Sequence, residues 1–152
     1  MINLKNKNEI EEMRYASQVV VGVLQGLKEE SLPGVSTWDL NMIAEDLTSK
    51  RGAKPAFKGY RNFPASICCA INNEVVHGIP SKKRILQEGD ILSIDFGVYL
   101  NGFYGDSAIT LPVGKVSSEA QSLLEVTRNS LYMGIEKAMP FNRLYEISHA
   151  IQ

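Results

Sequence analysis

Asp95 stands inside Ser-Ile-Asp-Phe-Gly-Val-Tyr, a run of strand-forming residues in which a carboxylate is costly to bury unless it is paired or bound to a cation. Asp106 follows on the far side of Asn101-Gly102, a dipeptide that favours a two-residue hairpin turn. Closed by a two-residue loop, such a hairpin makes the two aspartates diagonal neighbours on one face; with a four-residue loop they stand directly opposite one another. Either register brings together carboxylates that repel unless a proton or a metal lies between them. Ser93, Gly97 and Ala108 share that face and are small, which leaves room for a divalent cation with oxygen ligands. The alternative is a hairpin whose polar face is simply wet.

Other residues invite chemistry less directly. Asp95-Phe96-Gly97 matches the magnesium-holding tripeptide of kinases, but neither a glycine-rich phosphate loop nor His-Arg-Asp accompanies it. His77, ahead of Gly-Ile-Pro, reads on its own as a strand-end histidine bonded to backbone. Cys68 and Cys69 are adjacent, so they do not reach ordinary disulfide geometry and read as reduced thiols. On a strand they point to opposite faces, one into the core and one into a pocket wall. Phe57, Tyr60 and Phe63 gather in an aromatic loop that lines a pocket or plugs the core.

The elements that must position these residues follow from periodicity. Ile10, Met13, Ala16, Val20, Val23, Leu24 and Leu27 recur at helical spacing behind an Asn6/Glu9 capping box. A second helix starts at Ser36 with Asp39, turns Leu40, Ile43, Ala44 and Leu47 inward, and ends near Arg51-Gly52. Ala65 to Ile71 reads as a strand, Asn72-Asn73 as a turn and Glu74 to His77 as a short strand. Ile91 to Tyr99 and Phe103 to Leu111 form the hairpin, so the centre of the chain is antiparallel β. Ser117 caps a helix from Ser118 to Lys137 with Leu123, Leu124, Val126, Leu131, Ile135 and Ala138 inside, and a last helix begins near Asn142.

The chain has 152 residues, 44% of them hydrophobic and 22% charged, with a net charge of -1. That composition fits a single domain, residues 1–152, with a core that needs no staples. Lys82-Lys83-Arg84 reads as a solvated loop, too short for the cationic stripe that nucleic acid demands. With no secretory signal and no run long enough to span a membrane, the expected location is the cytoplasm.

Three linked runs carry a family resemblance: Ser66-Ile-Cys-Cys-Ala-Ile-Asn-Asn-Glu-Val-Val-His-Gly-Ile-Pro80, Glu88-Gly-Asp-Ile-Leu-Ser-Ile-Asp95 and Gly102-Phe-Tyr-Gly-Asp106. Together they closely resemble type I methionine aminopeptidase, of the M24 metallopeptidases. The resemblance implies the N-terminal half of the α/β pita-bread fold, an antiparallel sheet with helices on one face. It implies a metal-dependent enzyme that removes the initiator methionine from nascent polypeptides, with two divalent ions (cobalt, manganese, iron or zinc) activating a water. Asp95 and Asp106 would be metal ligands, His77 a catalytic residue contacting the substrate, and Tyr60, Phe63, Cys68 and Phe57 the methionine pocket.

Only two of the family's five ligand side chains have counterparts here, so the C-terminal half reads as absent and the chain as inactive or partial on its own. His149 reads as solvent-facing rather than as the missing histidine, and Phe141 occupies a position where the family usually has glycine. The uncovered half-sheet is expected to be broadly apolar and to favour self-association or complementation, and the ribosome is an expected partner. The alternatives are a related prolidase or creatinase-type hydrolase and a non-catalytic peptide- or ribosome-binding module.

Overall fold

Helix α1, Lys7–Glu30, begins at the capping box read from the sequence: Glu9 N–H donates to Asn6 Oδ1 (3.0 Å) and Asn6 N–H to Glu9 Oε2 (2.7 Å). This computed structural model describes residues 3–152, which fall into two compact units, one running to Lys115 and one from Val116 to Gln152. In the first unit, α1 buries Ala16, Val19, Val20, Val23, Leu24 and Leu27. Ile10 and Met13, expected inside, are exposed. Near them Asn101 Nδ2 of the hairpin turn donates to the Glu12 carboxylate (2.9 Å), and burial along α1 begins at Ala16.

Helix α2, Thr37–Lys50, is capped by Ser36 and Asp39 and buries Leu40 and Ala44, with Ile43 and Leu47 partly covered. Four strands follow: β1 Lys54–Pro55, β2 Ile67–Ile71, β3 Ile91–Leu100 and β4 Phe103–Pro112. All pairings are antiparallel. β3 is central, with β2 and β1 in succession along one edge and β4 along the other. Among the described residues β4 pairs with β3 alone.

The hairpin closes on Asn101 (φ 51°) and Gly102 (φ 87°), the two left-handed residues that a two-residue turn of matching twist requires. Leu92, Ile94, Phe96 and Val98 point from β3 into the helices and are fully buried. Removing the Phe96 ring from such a core costs about 3–5 kcal/mol. The opposite face carries Ser93, Asp95, Tyr99, Tyr104, Asp106, Ala108 and Thr110. The broadly apolar half-sheet expected there is corrected: apart from the packed Tyr99 and Tyr104 rings near the turn, the positions alternating with the core are the hydroxyls, carboxylates, glycine and alanine of the two strands.

Glu74–His77 is not a strand. His77 adopts φ 58°, a left-handed turn of the chain that breaks an extended run, and Gly78 instead offers its carbonyl to Cys69 N–H (2.8 Å).

In the second unit, Ser117 caps α3, Ser118–Lys137, by accepting from Ala120 N–H (3.2 Å), and α4 spans Leu144–Ile151. Gly134 is the buried residue of α3, its missing side chain admitting Ile147 and Ile151 of α4. Leu123, Val126, Leu131, Ile135 and Ala138, expected inside, are exposed, and Leu124 is partly covered. Within this unit the partner is an eight-residue helix, too short to cover the apolar stripe of a twenty-residue one.

Candidate functional site

The register Asp95↔Ala108 and Gly97↔Asp106 makes the two aspartates diagonal neighbours on the open face of the hairpin. Gly97 between them has no side chain, and the Phe57 ring occupies the space a methyl group would take there. On β2, Cys68 lies opposite Asp95, and Cys69 turns into the core, as strand alternation requires. Burial pushes the Cys69 thiol up to about 12. Burial first, then the charges of Asp95 and Asp106, pushes the Cys68 thiol up to about 11, so it is an uncharged wall and not a nucleophile at neutral pH.

Burial also raises the Asp95 carboxyl above its ordinary value, and Asp106 adds repulsion and a shared hydrogen bond that favour the protonated form. His77 pulls in the opposite direction. The Asp95 carboxyl therefore feels both the second aspartate and the histidine.

A cleft of about 630 Å³ gathers these residues, lined by Phe57, Tyr60, Phe63, Cys68, His77, Asp95 and Asp106 together with Arg61, Asn62, Pro64 and Ile79. Every candidate site residue read from the sequence faces this one space. A smaller hollow of about 210 Å³ shares Cys68, His77 and Asp95 and is walled by Ala70, Val75, Val76, Ser93, Ala108 and Thr110. Among the described residues, no three His, Cys, Asp or Glu side chains converge to hold a metal ion. His149 is exposed on α4.

The aromatic loop is fastened at both ends. Ala56 N–H donates to Gly97 O (2.8 Å), which joins the loop to the hairpin. Lys58 Nζ (2.7 Å), Ser66 Oγ (2.9 Å) and Asn41 Nδ2 (3.2 Å) all donate to one oxygen of Glu45 on α2. Burial pushes the Glu45 carboxyl up, but these donors outweigh it and hold it below its ordinary value. The anchoring residues Glu45 and Asn41 escaped the sequence reading, although an asparagine within the apolar stripe of α2 was the visible sign. Arg84, read as solvated, is half-buried and corrects that reading: Nη1 donates to Cys69 O (3.1 Å) and Ile79 O (3.0 Å), and Nη2 pairs with Glu74. Lys82 and Lys83 are exposed.

The sequence profile of metallopeptidase family M24 matches residues 11–152. A methionine aminopeptidase of Clostridium acetobutylicum is 53% identical over 152 residues, covering 100% of this chain and 61% of that protein. One of Aquifex aeolicus is 53% identical, over 99% of this chain and 60% of that protein. The chain thus spans about three fifths of the curated relatives it matches. The crystal structure of methionine aminopeptidase from Thermotoga maritima superposes with a TM-score of 0.97 at 39% identity, covering 100% of this chain and 61% of that one. Prolidase from Pyrococcus furiosus superposes at 0.85 with 25% identity, over 97% and 42%.

Proposed function

The chain belongs to metallopeptidase family M24, and from that footing we propose that it carries part of a methionyl aminopeptidase, an enzyme that hydrolyses methionine from the N-terminus of peptides and nascent chains. The observation that supports this reading is the meeting of an aromatic pocket, an uncharged thiol, a histidine and two aspartates in one cleft. Residues 1–152 are read as one portion of a single catalytic domain. The two free thiols suit a reducing cytoplasm, and among the described residues no helix is long and apolar enough to cross a membrane. The ribosome enters this reading as the source of nascent chains.

The donor set fits divalent ions. Two carboxylate side chains share a face, and among the described residues neither makes an ion pair with a lysine or arginine. Asp95 and Asp106 would hold the metal, with cobalt, manganese, iron and zinc all compatible with oxygen ligands of this kind. Bound there, divalent ions supply Lewis acidity for peptide hydrolysis. The aromatic loop and Cys68 receive the flexible thioether side chain. His77 donates a hydrogen bond at the scissile peptide and steadies the charge that develops on it.

Release of methionine from Met-Ala-Ser tests the reading. The 152-residue chain alone is expected to give none, because two aspartates leave the ions under-coordinated. Mixed with the C-terminal portion of the Clostridium acetobutylicum relative, it is expected to release methionine in a chelator-sensitive way that Asp95→Asn abolishes. Preference for an X-Pro peptide would point to a prolidase-type hydrolase. Absence of turnover in the mixture, with peptide still bound, would point to a non-catalytic module.

A further inference from the structure

His77 sits in a stretch without helix or strand, at φ 58°, a left-handed conformation uncommon outside glycine, which histidine tolerates better than most residues and which the contacts on either side of it can hold. We propose that Arg84, together with Glu74, is the positioning pair that imposes it and so aims His77 into the cleft. This inference rests on the role given to His77 above.

Three observations converge. The main chain of Arg84 is tied to the start of α2, where Thr37 N–H donates to Arg84 O (2.9 Å), so its side chain reaches out from a fixed base. Its guanidinium then meets the His77 segment on both sides. Ahead of His77 it pairs with Glu74, whose carboxylate also accepts from Ile71 N–H (2.8 Å) at the end of β2. Beyond His77 it donates to Ile79 O, and the same nitrogen donates to Cys69 O on β2. Gly78 completes the closure: its carbonyl accepts from Cys69 N–H, and a Cβ there would run into the Cys69 carbonyl.

His77 is therefore a short bridge between two fastened points. A planar fork with several fixed donors can serve a carboxylate and two carbonyls together, whereas an ammonium cannot match that geometry. Neither Arg84 nor Glu74 lines the cleft, and of the lining residues the pair brackets His77 and holds the Ile79 carbonyl, so its effect on chemistry passes through the 77–79 segment.

The test uses the isotope-labelled 152-residue chain and two spectroscopic readouts that need no turnover, the backbone coupling constant of His77 and the exchange rate of the Cys69 N–H. In Arg84→Ala the coupling is expected to average and the exchange to quicken by about tenfold or more; Arg84→Lys recovers part of the difference, and Lys83→Ala leaves both readouts as in wild type. In the mixture with the relative's C-terminal portion, Arg84→Ala is expected to lower kcat about tenfold and leave KM within about twofold. Loss of general stability alone would not produce that split. Should Arg84→Ala fail to fold, Glu74→Gln and Arg84→Lys carry the same measurements. Unchanged coupling and exchange, or unchanged kcat in a mixture whose wild type turns over, overturns the proposal. A mixture that never turns over defeats the aminopeptidase reading, while the spectroscopic arm still decides whether the pair sets His77.

Discussion

At the scale of single residues, the site is held at a cost to stability. The folded-state pKa of Asp95 lies above its ordinary value of 3.8, so the folded chain binds more protons than the unfolded one across the interval between the two. Stability contributed by the protonated form is therefore complete below that interval and lost as pH rises through it. Asp95→Asn removes the penalty. In the presence of a chelator this variant is expected to melt at a higher temperature than wild type at neutral pH, with the gain disappearing at acid pH. Equal melting temperatures at pH 7 would mean that the carboxylate is comfortable where it sits. Glu45 has the opposite sign: its lowered pKa contributes stability that is present above the ordinary carboxylate range and lost as pH falls.

At the scale of elements, the sequence made the strongest signals legible because they are local. Both capping boxes and the Asn101-Gly102 turn follow from residues close in the chain, while of the two registers that turn left open the structure takes the one that pairs Gly97 with Asp106. What escaped depends on contacts across the fold. The conformation of His77 is set by residues on both sides of it, the burial of Arg84 by the strand it reaches, and the exposure of Leu123 and Leu131 by the shortness of α4. Periodicity announces an apolar face but not whether anything covers it. Phe141 shows the same limit from the other side. The resemblance marked it as unusual, and in the α3–α4 connection it stands fully exposed at φ 73°, where glycine fits without strain. Phe141→Gly is expected to stabilise the chain by about 1 kcal/mol, read as a higher denaturant midpoint. A lower midpoint would mean the ring makes contacts worth more than the strain.

At the scale of the whole molecule, metal binding and stability should be linked through the hairpin. Two aspartates without a third converging ligand among the described residues hold a divalent ion weakly. Calorimetric titration with Mn²⁺ is expected to show binding weaker than micromolar that Asp106→Asn removes, and a rise in melting temperature with Mn²⁺ in wild type but not in that variant. Tight binding that survives Asp106→Asn would place the ion elsewhere. The sheet topology adds a mechanical asymmetry to this picture. Asp95 is mounted on β3, hydrogen-bonded to neighbours on both sides, whereas Asp106 is mounted on β4, which among the described residues is paired on one side only. One carboxylate sits on a strand paired along both edges and the other on a strand paired along one. In the metal site proposed above, an ion of the wrong size is expected to be accommodated more readily by movement of Asp106 than of Asp95.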